Sequence, residues 1–228
     1  MEYPNLFESN GMTSSGRYDT AGYPEDQYEP GSDGTVLKNL LGITSREGMA
    51  IVETEQLWRA QEHLLEVIEE DQQLTAHDIF DMHRIWLGTV YEWAGQERRV
   101  NVSKDGFPFA MARTITGLML DFERNQLARY TPCRFDGYDE IAQALAEVHV
   151  ELMLIHPFRE GNGRLGRLLA TIMALQAGLP LLDFSEMAGE KKGEYFSAVR
   201  AGLDRDYAPM KQLFLEVIRG SEEVIAED

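Results

Sequence analysis

The twelve residues His156-Pro157-Phe158-Arg159-Glu160-Gly161-Asn162-Gly163-Arg164-Leu165-Gly166-Arg167 constrain this chain more than any other stretch. They hold an imidazole, a carboxylate, an amide, three glycines and three arginines, and apolar residues at helical spacing flank them on both sides. Upstream, Ile141, Leu145, Val148, Leu152 and Ile155 predict a helix from about Glu140 to Ile155. Pro157 disfavours helical dihedrals at His156, so that helix ends there. Downstream, Leu165, Leu168, Leu169, Ile172 and Leu175 restart the period near Arg164, and Gly178 and Pro180 stop it. The stretch is therefore a glycine-rich turn between one helix C-terminus and the next helix N-terminus. Amides in a first helical turn lack carbonyl partners and carry the positive end of the helix dipole, which makes such a turn an anion site.

The rest of the chain reads as the scaffold for that turn. Residues 1–34 are rich in Gly, Ser, Tyr, Pro, Asp and Glu without apolar periodicity, as expected of a disordered or loosely docked arm. Its tyrosines, Tyr3, Tyr18, Tyr23 and Tyr28, are either anchors or merely tolerated there. After the short apolar segment Val36 to Leu41, a helix is expected from about Glu47 to Glu70, with Ile51, Trp58 and Leu65 on its apolar stripe and Leu57, Leu64 and Ile68 beside it. Thr75 is the candidate cap of a helix from Ala76 to about Val90 that turns Ile79, Phe80, His83, Trp86, Leu87 and Val90 to the core. His83 reads as a packed, hydrogen-bonded histidine, since nothing nearby completes a metal set. Residues 98–110 change character: alternation at Val100 and Val102, then Asp105-Gly106, then Phe107 and Phe109 predict a β-hairpin. Further helices are expected over Ile115 to Tyr130 (Leu118, Met119 and Phe122 inward), around Glu190 to Leu203, and over Tyr207 to Arg219 (Met210, Leu213, Phe214 and Val217 buried). Residues 219–228 read as an acidic tail. The expected fold class is all-α, a helical bundle with one β-hairpin, in a single domain over residues 35–218.

Composition narrows the function. A net charge of −18 opposes contact with phosphate backbones, so direct nucleic-acid binding is not expected. The single cysteine, Cys133, forbids an intrachain disulfide and reads as a bystander, and five scattered histidines offer no zinc spacing. The N-terminus lacks the basic and apolar regions of a signal peptide, and no apolar run reaches the roughly 18–20 residues of a membrane span. A cytoplasmic protein without membrane contact is expected.

The turn itself carries chemistry. Gly161-Asn162-Gly163 at a helix start offers backbone amides to a phosphate. Arg164 and Arg167 are three apart, share a helix face and can clamp a polyphosphate chain. Glu160 can supply the carboxylate that Mg²⁺ takes alongside phosphate oxygens. His156, one short loop away, can accept a proton from an attacking hydroxyl. Together they describe phosphoryl or nucleotidyl transfer from a Mg-nucleotide to a hydroxyl. A Walker P-loop is excluded by the absence of Gly-Lys-Ser/Thr and by helices on both flanks, and the lysine and Asp-Phe-Gly motifs of protein kinases are missing.

The twelve residues match the signature of the Fic family, HPFx(D/E)GNGRxxR, at every defined position. The resemblance extends to Trp93-Ala94-Gly95, to Asn101 through Ala110, which is similar to the family's flap, and to Val36 through Ile43, which resembles the lead-in of short bacterial Fic toxins. It implies a helical core with the hairpin as a flap over the active site, and AMPylation, the transfer of AMP from ATP to a Ser, Thr or Tyr hydroxyl of a protein. By position it implies His156 as general base and Glu160 as the Mg²⁺ ligand. Gly161, Asn162 and Gly163 would cradle the phosphates, with Asn162 on the α-phosphate, Arg164 on the β- and Arg167 on the γ-phosphate. Phe158 would anchor the loop. The flap residues Val102, Ser103, Lys104, Gly106, Phe107 and Phe109 would pair with an extended target segment, and Lys104, Asp105 and Gly106 would help close the nucleotide site. Tyr195 and Tyr207 are candidates for the adenine pocket. The family's inhibitory motif, (S/T)xxxE(G/N), is not intact: Ile43 stands four residues before Glu47-Gly48 and His156 four before Glu160-Gly161. Restraint would then come from a separate small helical antitoxin supplying the glutamate, or from Glu47 as a degenerate internal brake. A type II topoisomerase subunit is the target the family suggests. The alternatives are Doc-like phosphate transfer, against which Gly163 and both arginines speak, and an inert interaction module that keeps the fold alone.

Overall fold

The computed structural model describes residues 23–227; Tyr3, Tyr18 and the remainder of the arm before Tyr23 lie outside the described residues. In chain order the elements are α1 (Arg46–Val67), α2 (Ala76–Leu87), the hairpin β1 (Ser103–Lys104) and β2 (Phe107–Pro108), α3 (Ile115–Phe122), α4 (Ala128–Tyr130), α5 (Tyr138–Ile155), α6 (Asn162–Gln176), α7 (Ser185–Ala188), α8 (Lys192–Ala201) and α9 (Ala208–Glu227). The class is all-α with one hairpin, as expected.

Local chemistry sets the boundaries. Ser45 accepts from the Gly48 amide at the start of α1, 3.1 Å. Thr75 and Asp78 form a reciprocal capping box on α2, each side chain bonded to the other's backbone amide. At the hairpin tip Asp105 and Gly106 both adopt positive φ, 50° and 77°, which a two-residue turn of this hand requires. The register pairs Ser103 with Pro108 and Lys104 with Phe107. Each strand is only two residues long, shorter than the segment the alternation suggested.

α5 is the centre of the bundle. From Ile141 to Ile155 nearly all of its side chains are buried, and Ala142, Ala144 and Ala146 let neighbours approach closely. It packs on α9 through Met210, Phe214 and Ile218 and on α6 through Leu165, Leu169 and Met173, all buried. Each such side chain contributes about 1.5–3 kcal/mol on burial. Gly166 lies at this contact: a Cβ would stand 2.7 Å from Met153 Cε and 3.0 Å from His149 Cε1, so a larger residue would have to displace the Met153 methyl and press on the His149 ring.

Four expectations change. On α1 the buried face is Met49, Glu53, Ala60 and Leu64, while Ile51, Trp58 and Leu65 are 60%, 65% and 41% exposed. Two faces of α1 carry helical spacing, and the one with a glutamate in it faces the core. The helix over Ile115–Tyr130 holds a π turn at Glu123–Leu127 between α3 and α4. α9 runs on to Glu227 rather than ending near Arg219, and Ser221 within it is buried and accepts from the Asp183 amide, 2.9 Å. Residues 23–34 pack on the domain: Glu25 is buried and accepts from the Arg99 amide, 2.8 Å, and Tyr28 bridges to Leu37.

Candidate active site

His156 ends α5 in the left-handed region, φ 52° and ψ 60°. That conformation swings its ring out of the helix and turns its carbonyl back toward Arg98. Arg98 is buried and holds the whole junction: Nε donates to His156 O at 2.7 Å, Nη1 to Val100 O at 2.7 Å, and Nη2 to Ala110 O at 2.5 Å and Ile155 O at 3.4 Å. Its own amide donates to Pro157 O, 2.8 Å. One guanidinium thus satisfies carbonyls at the C-terminus of α5 and at both ends of the flap.

The imidazole of His156 has one assignable tautomer. Nδ1 lies 3.2 Å from Met153 O, and a carbonyl can only accept, so Nδ1 carries the proton and Nε2 keeps its lone pair. The flap's Phe109 stacks on the ring, centroids 3.6 Å apart and planes within 9°. Burial, with Arg98 and Lys104 nearby, pushes its pKa down to about 3, so the ring is neutral at physiological pH.

The turn is held from within and from α2. Asn162 is buried and its amide closes the loop on Phe158, accepting from Phe158 N at 3.0 Å and donating to Phe158 O at 2.8 Å. Its side chain is thus committed to the loop, and what it offers a phosphate is its backbone amide. Phe158 is fully buried and stacks on His83, centroids 3.9 Å apart. His83 accepts from the Gly95 amide at Nδ1, 2.8 Å, which leaves Nε2–H to donate to Glu160 O, 3.1 Å. Burial holds its pKa down to about 4. Gly161 has φ +86°, and a Cβ there would meet the Trp86 ring at 2.8 Å, so the backbone lies flat on an indole. No side chain caps α6, and Gly161, Asn162, Gly163 and Arg164 line the cavity.

The two arginines differ. Arg164 Nη2 is 2.7 Å from Glu53 Oε2 and 3.5 Å from Glu160 Oε1, and its guanidinium lies over Trp86, 4.8 Å from the ring centroid. Glu53 is buried, accepts from Tyr91 OH at 2.7 Å, and its carbonyl accepts from Trp86 Nε1 at 2.8 Å. Arg167 has no carboxylate within salt-bridge reach among the described residues, and burial lowers its pKa. Neither Arg98 nor Glu53 was singled out in the sequence; their partners lie 58 and 111 residues away.

These groups surround a cavity of about 650 Å³ lined by the turn, the flap and α8. It brings together His156, Glu160, Gly161, Asn162, Gly163, Arg164, Arg167, Val102, Ser103, Lys104, Asp105, Phe107, Phe109 and Tyr195. Gly106 serves the turn and stands outside the lining. Tyr195 contributes an edge while its buried hydroxyl bonds His149 Nε2, 3.0 Å. Tyr207 belongs elsewhere: just ahead of α9, it donates to Glu151 of α5 and lines a separate groove with Arg124 and Arg205. Glu160 fits a divalent cation. Its carboxylate is exposed at the cavity and, among the described residues, is held by the Gly161 amide at 2.9 Å and by Arg164. Among the described residues no three His, Cys, Asp or Glu side chains converge on a metal position, so phosphate oxygens would complete the set, the arrangement Mg²⁺ favours. No helix of the described residues is long and apolar enough to cross a membrane.

Residues 73–174 match the model of the Fic/DOC family. The protein adenylyltransferase VbhT of Bartonella schoenbuchensis is 38% identical over 97 residues, 42% of this chain and 20% of that protein. The probable protein adenylyltransferase y4lH of Sinorhizobium fredii is 31% identical over 134 residues, 57% of this chain and 65% of its own length. The chain thus spans less than two thirds of either relative. Among solved structures, the N-terminal Fic domain of an effector from Bartonella sp. AR 15-3 superposes with a TM-score of 0.70 at 22% identity, covering 87% of this chain and 92% of that one. BepC of Bartonella tribocorum, solved with bound AMPPNP, gives 0.64 at 24% identity over 80% and 92%. These superpositions extend the shared fold beyond the matched 73–174 segment.

Proposed function

We propose that this chain, which carries a Fic/DOC family domain over residues 73–174, is a protein adenylyltransferase that moves AMP from ATP to a Ser, Thr or Tyr hydroxyl of another protein. The observation that carries this reading is the neutral His156, its Nε2 lone pair free, beside the uncapped start of α6 and its two arginines. The acceptor hydroxyl attacks the α-phosphorus. Its oxygen–phosphorus bond forms, the bond to the β-phosphate bridging oxygen breaks, and pyrophosphate leaves. His156 Nε2 takes the hydroxyl proton, and the first-turn amides with Arg164 and Arg167 hold the phosphate oxygens. Glu160 would hold Mg²⁺, which would neutralise phosphate charge there.

Restraint by a separate small helical partner fits better than an internal brake. Among the described residues Arg167 meets no carboxylate, and Glu47, exposed on the first turn of α1, joins no ion pair. The chain then acts as the toxin of a pair in the cytoplasm. Its resemblance to short bacterial toxins makes a type II topoisomerase subunit the first target to try.

The deciding experiment supplies α-labelled or γ-labelled ATP with Mg²⁺ and a bacterial lysate. Label is expected to pass to protein from the α-position alone, and to fall about 10²–10⁴-fold in His156→Ala. Transfer from the γ-position would establish phosphate transfer instead.

A further inference from the structure

The cavity has a cationic wall that the nucleotide does not account for. Its lining contains Lys104, Arg159, Arg164, Arg167, Lys192 and Arg200 against two acidic side chains, Asp105 and Glu160, in a chain whose net charge is −18. Arg164 and Arg167 sit at the start of α6, where polyphosphate belongs. Lys104 and Arg200 stand at the opposite seam, between flap and α8, and neither has a carboxylate within 4.0 Å among the described residues.

Aromatic faces place these two cations instead. Lys104 Nζ lies 4.8 Å from the centroid of Phe196, and Arg200 Cζ 5.5 Å from the centroid of Phe107. Lys104 and Phe107 are cross-strand partners on the flap, and Phe196 and Arg200 are one turn apart on α8. The two pairs therefore interlock reciprocally. A ring face orients a cation without cancelling its charge. Two like charges gathered at one seam and left unneutralised make a receptor for an anion, on a protein whose remaining surface repels anions. A two-stranded hairpin also leaves each strand with one unpaired edge, onto which an extended chain can add by main-chain bonds.

We propose that the flap–α8 seam selects acceptor segments carrying an aspartate or glutamate beside the modified hydroxyl, with Lys104 and Arg200 as the reading pair. This rests on the adenylyltransferase reading and names the substrate class it serves.

The test uses two fluorescein-labelled twelve-residue peptides with the same central Thr-Tyr, one flanked by Asp and Glu, the other by Lys and Arg. Binding is read by anisotropy and AMP transfer by α-labelled ATP, on the wild-type chain, Arg200→Glu and Arg200→Lys. The acidic peptide is expected to bind at least tenfold tighter and be modified faster. Arg200→Glu should invert the preference and Arg200→Lys keep it, with circular dichroism confirming that both fold. Equal binding of the two peptides, or a preference that survives Arg200→Glu, would overturn the proposal even if AMP is transferred. Discrimination in binding with no AMP transfer to any protein or peptide would sink the enzymatic reading and leave the docking surface standing. A loss of ATP affinity in Arg200→Glu with peptide preference unchanged would assign the cation to the nucleotide, against the proposal.

Discussion

On the wall built by the α5–α6 turn, most of the chemical groups are held by hydrogen bonds or stacking, some from within the turn and some from distant helices. His156 is held by Met153 and Arg98, Phe158 by Asn162 and His83, Glu160 O by His83, and Arg164 by Glu53. On the facing wall, strands of two residues meet α8 through two cation–π contacts, without an ion pair among the described residues. Deleting one partner on the first wall strands a buried polar group, at a cost of about 1–3 kcal/mol. The second wall's contacts are worth only about 0.5–1 kcal/mol each at exposed sites. The division matches two demands. A donor nucleotide is bound the same way in each turnover and gains from fixed geometry, whereas a polypeptide acceptor must slide in beside the flap and leave again.

Acid is the strongest way to break this contrast. An imidazole ordinarily titrates at 6.5; in the fold His83 and His149 are held down to about 4 and His156 to about 3, in each case chiefly by burial. Between these values the unfolded chain binds more protons, so stability rises with pH across that window. The contribution is fully present above about pH 6.5 and is lost as pH falls through 4. Each pH unit of displacement is worth about 1.4 kcal/mol per group, and burial displaces all three in the same direction. Relief of repulsion among 39 acidic residues works the other way, so bulk unfolding alone is a blunt measure. The sharper readout is the imidazole ¹³C shift. His83, His149 and His156 are expected to keep neutral signals down to pH 5 in the folded state. Protonation of any of them near 6.5 would mean that the turn is looser than described.

Next in size is Glu53→Ala, which leaves Arg164 and the Tyr91 hydroxyl without their buried partner. Breaking one side of a buried pair costs about 3–5 kcal/mol, and Arg164 is partly exposed, so about 3 is expected. ATP affinity should fall roughly tenfold, 1.4 kcal/mol, as the guanidinium loses its fixed pose. Glu53→Gln keeps the shape and should lose about half as much stability. Urea unfolding and isothermal titration with ATP·Mg decide it. A change below about 0.5 kcal/mol in both would remove Glu53 from the rigid wall.

These dependencies explain what could be read in the sequence. The turn was legible because its chemistry is contiguous: twelve neighbouring residues carry the base, the carboxylate, the amides and both arginines. His83 was legible as a packed histidine because the apolar spacing of α2 put it on the core face. Glu53 was hidden by its own charge. Helical spacing made Ile51, Trp58 and Leu65 look like the buried stripe, and the stripe that is buried contains a glutamate whose reason lies 111 residues downstream. Arg98 was equally hidden, because four backbone carbonyls leave no mark in residue identity. The flap's position followed from Asp105-Gly106 and Lys104 was legible as a flap residue facing the site, but Arg200 was not, because its pairing with Phe107 depends on how α8 packs against the flap.

The smallest effect is expected at the seam, and its smallness is informative. Phe196→Leu removes the ring under Lys104 while keeping an apolar side chain of similar reach. Global stability should change by less than about 1 kcal/mol, because an exposed cation–π contact is worth no more than that. Hydrogen exchange separates the walls where melting cannot. Amides at Lys104, Phe107 and Phe109 are expected to exchange severalfold faster in Phe196→Leu, since α8 would hold the hairpin less firmly. Amides in α6 should be unaffected, since their protection comes from packing on α5 and from the Glu53 and Asn162 bonds. Equal acceleration in both places would mean that flap and turn open as one unit through Arg98, whose guanidinium touches both, and the acceptor wall would then be no freer than the donor wall.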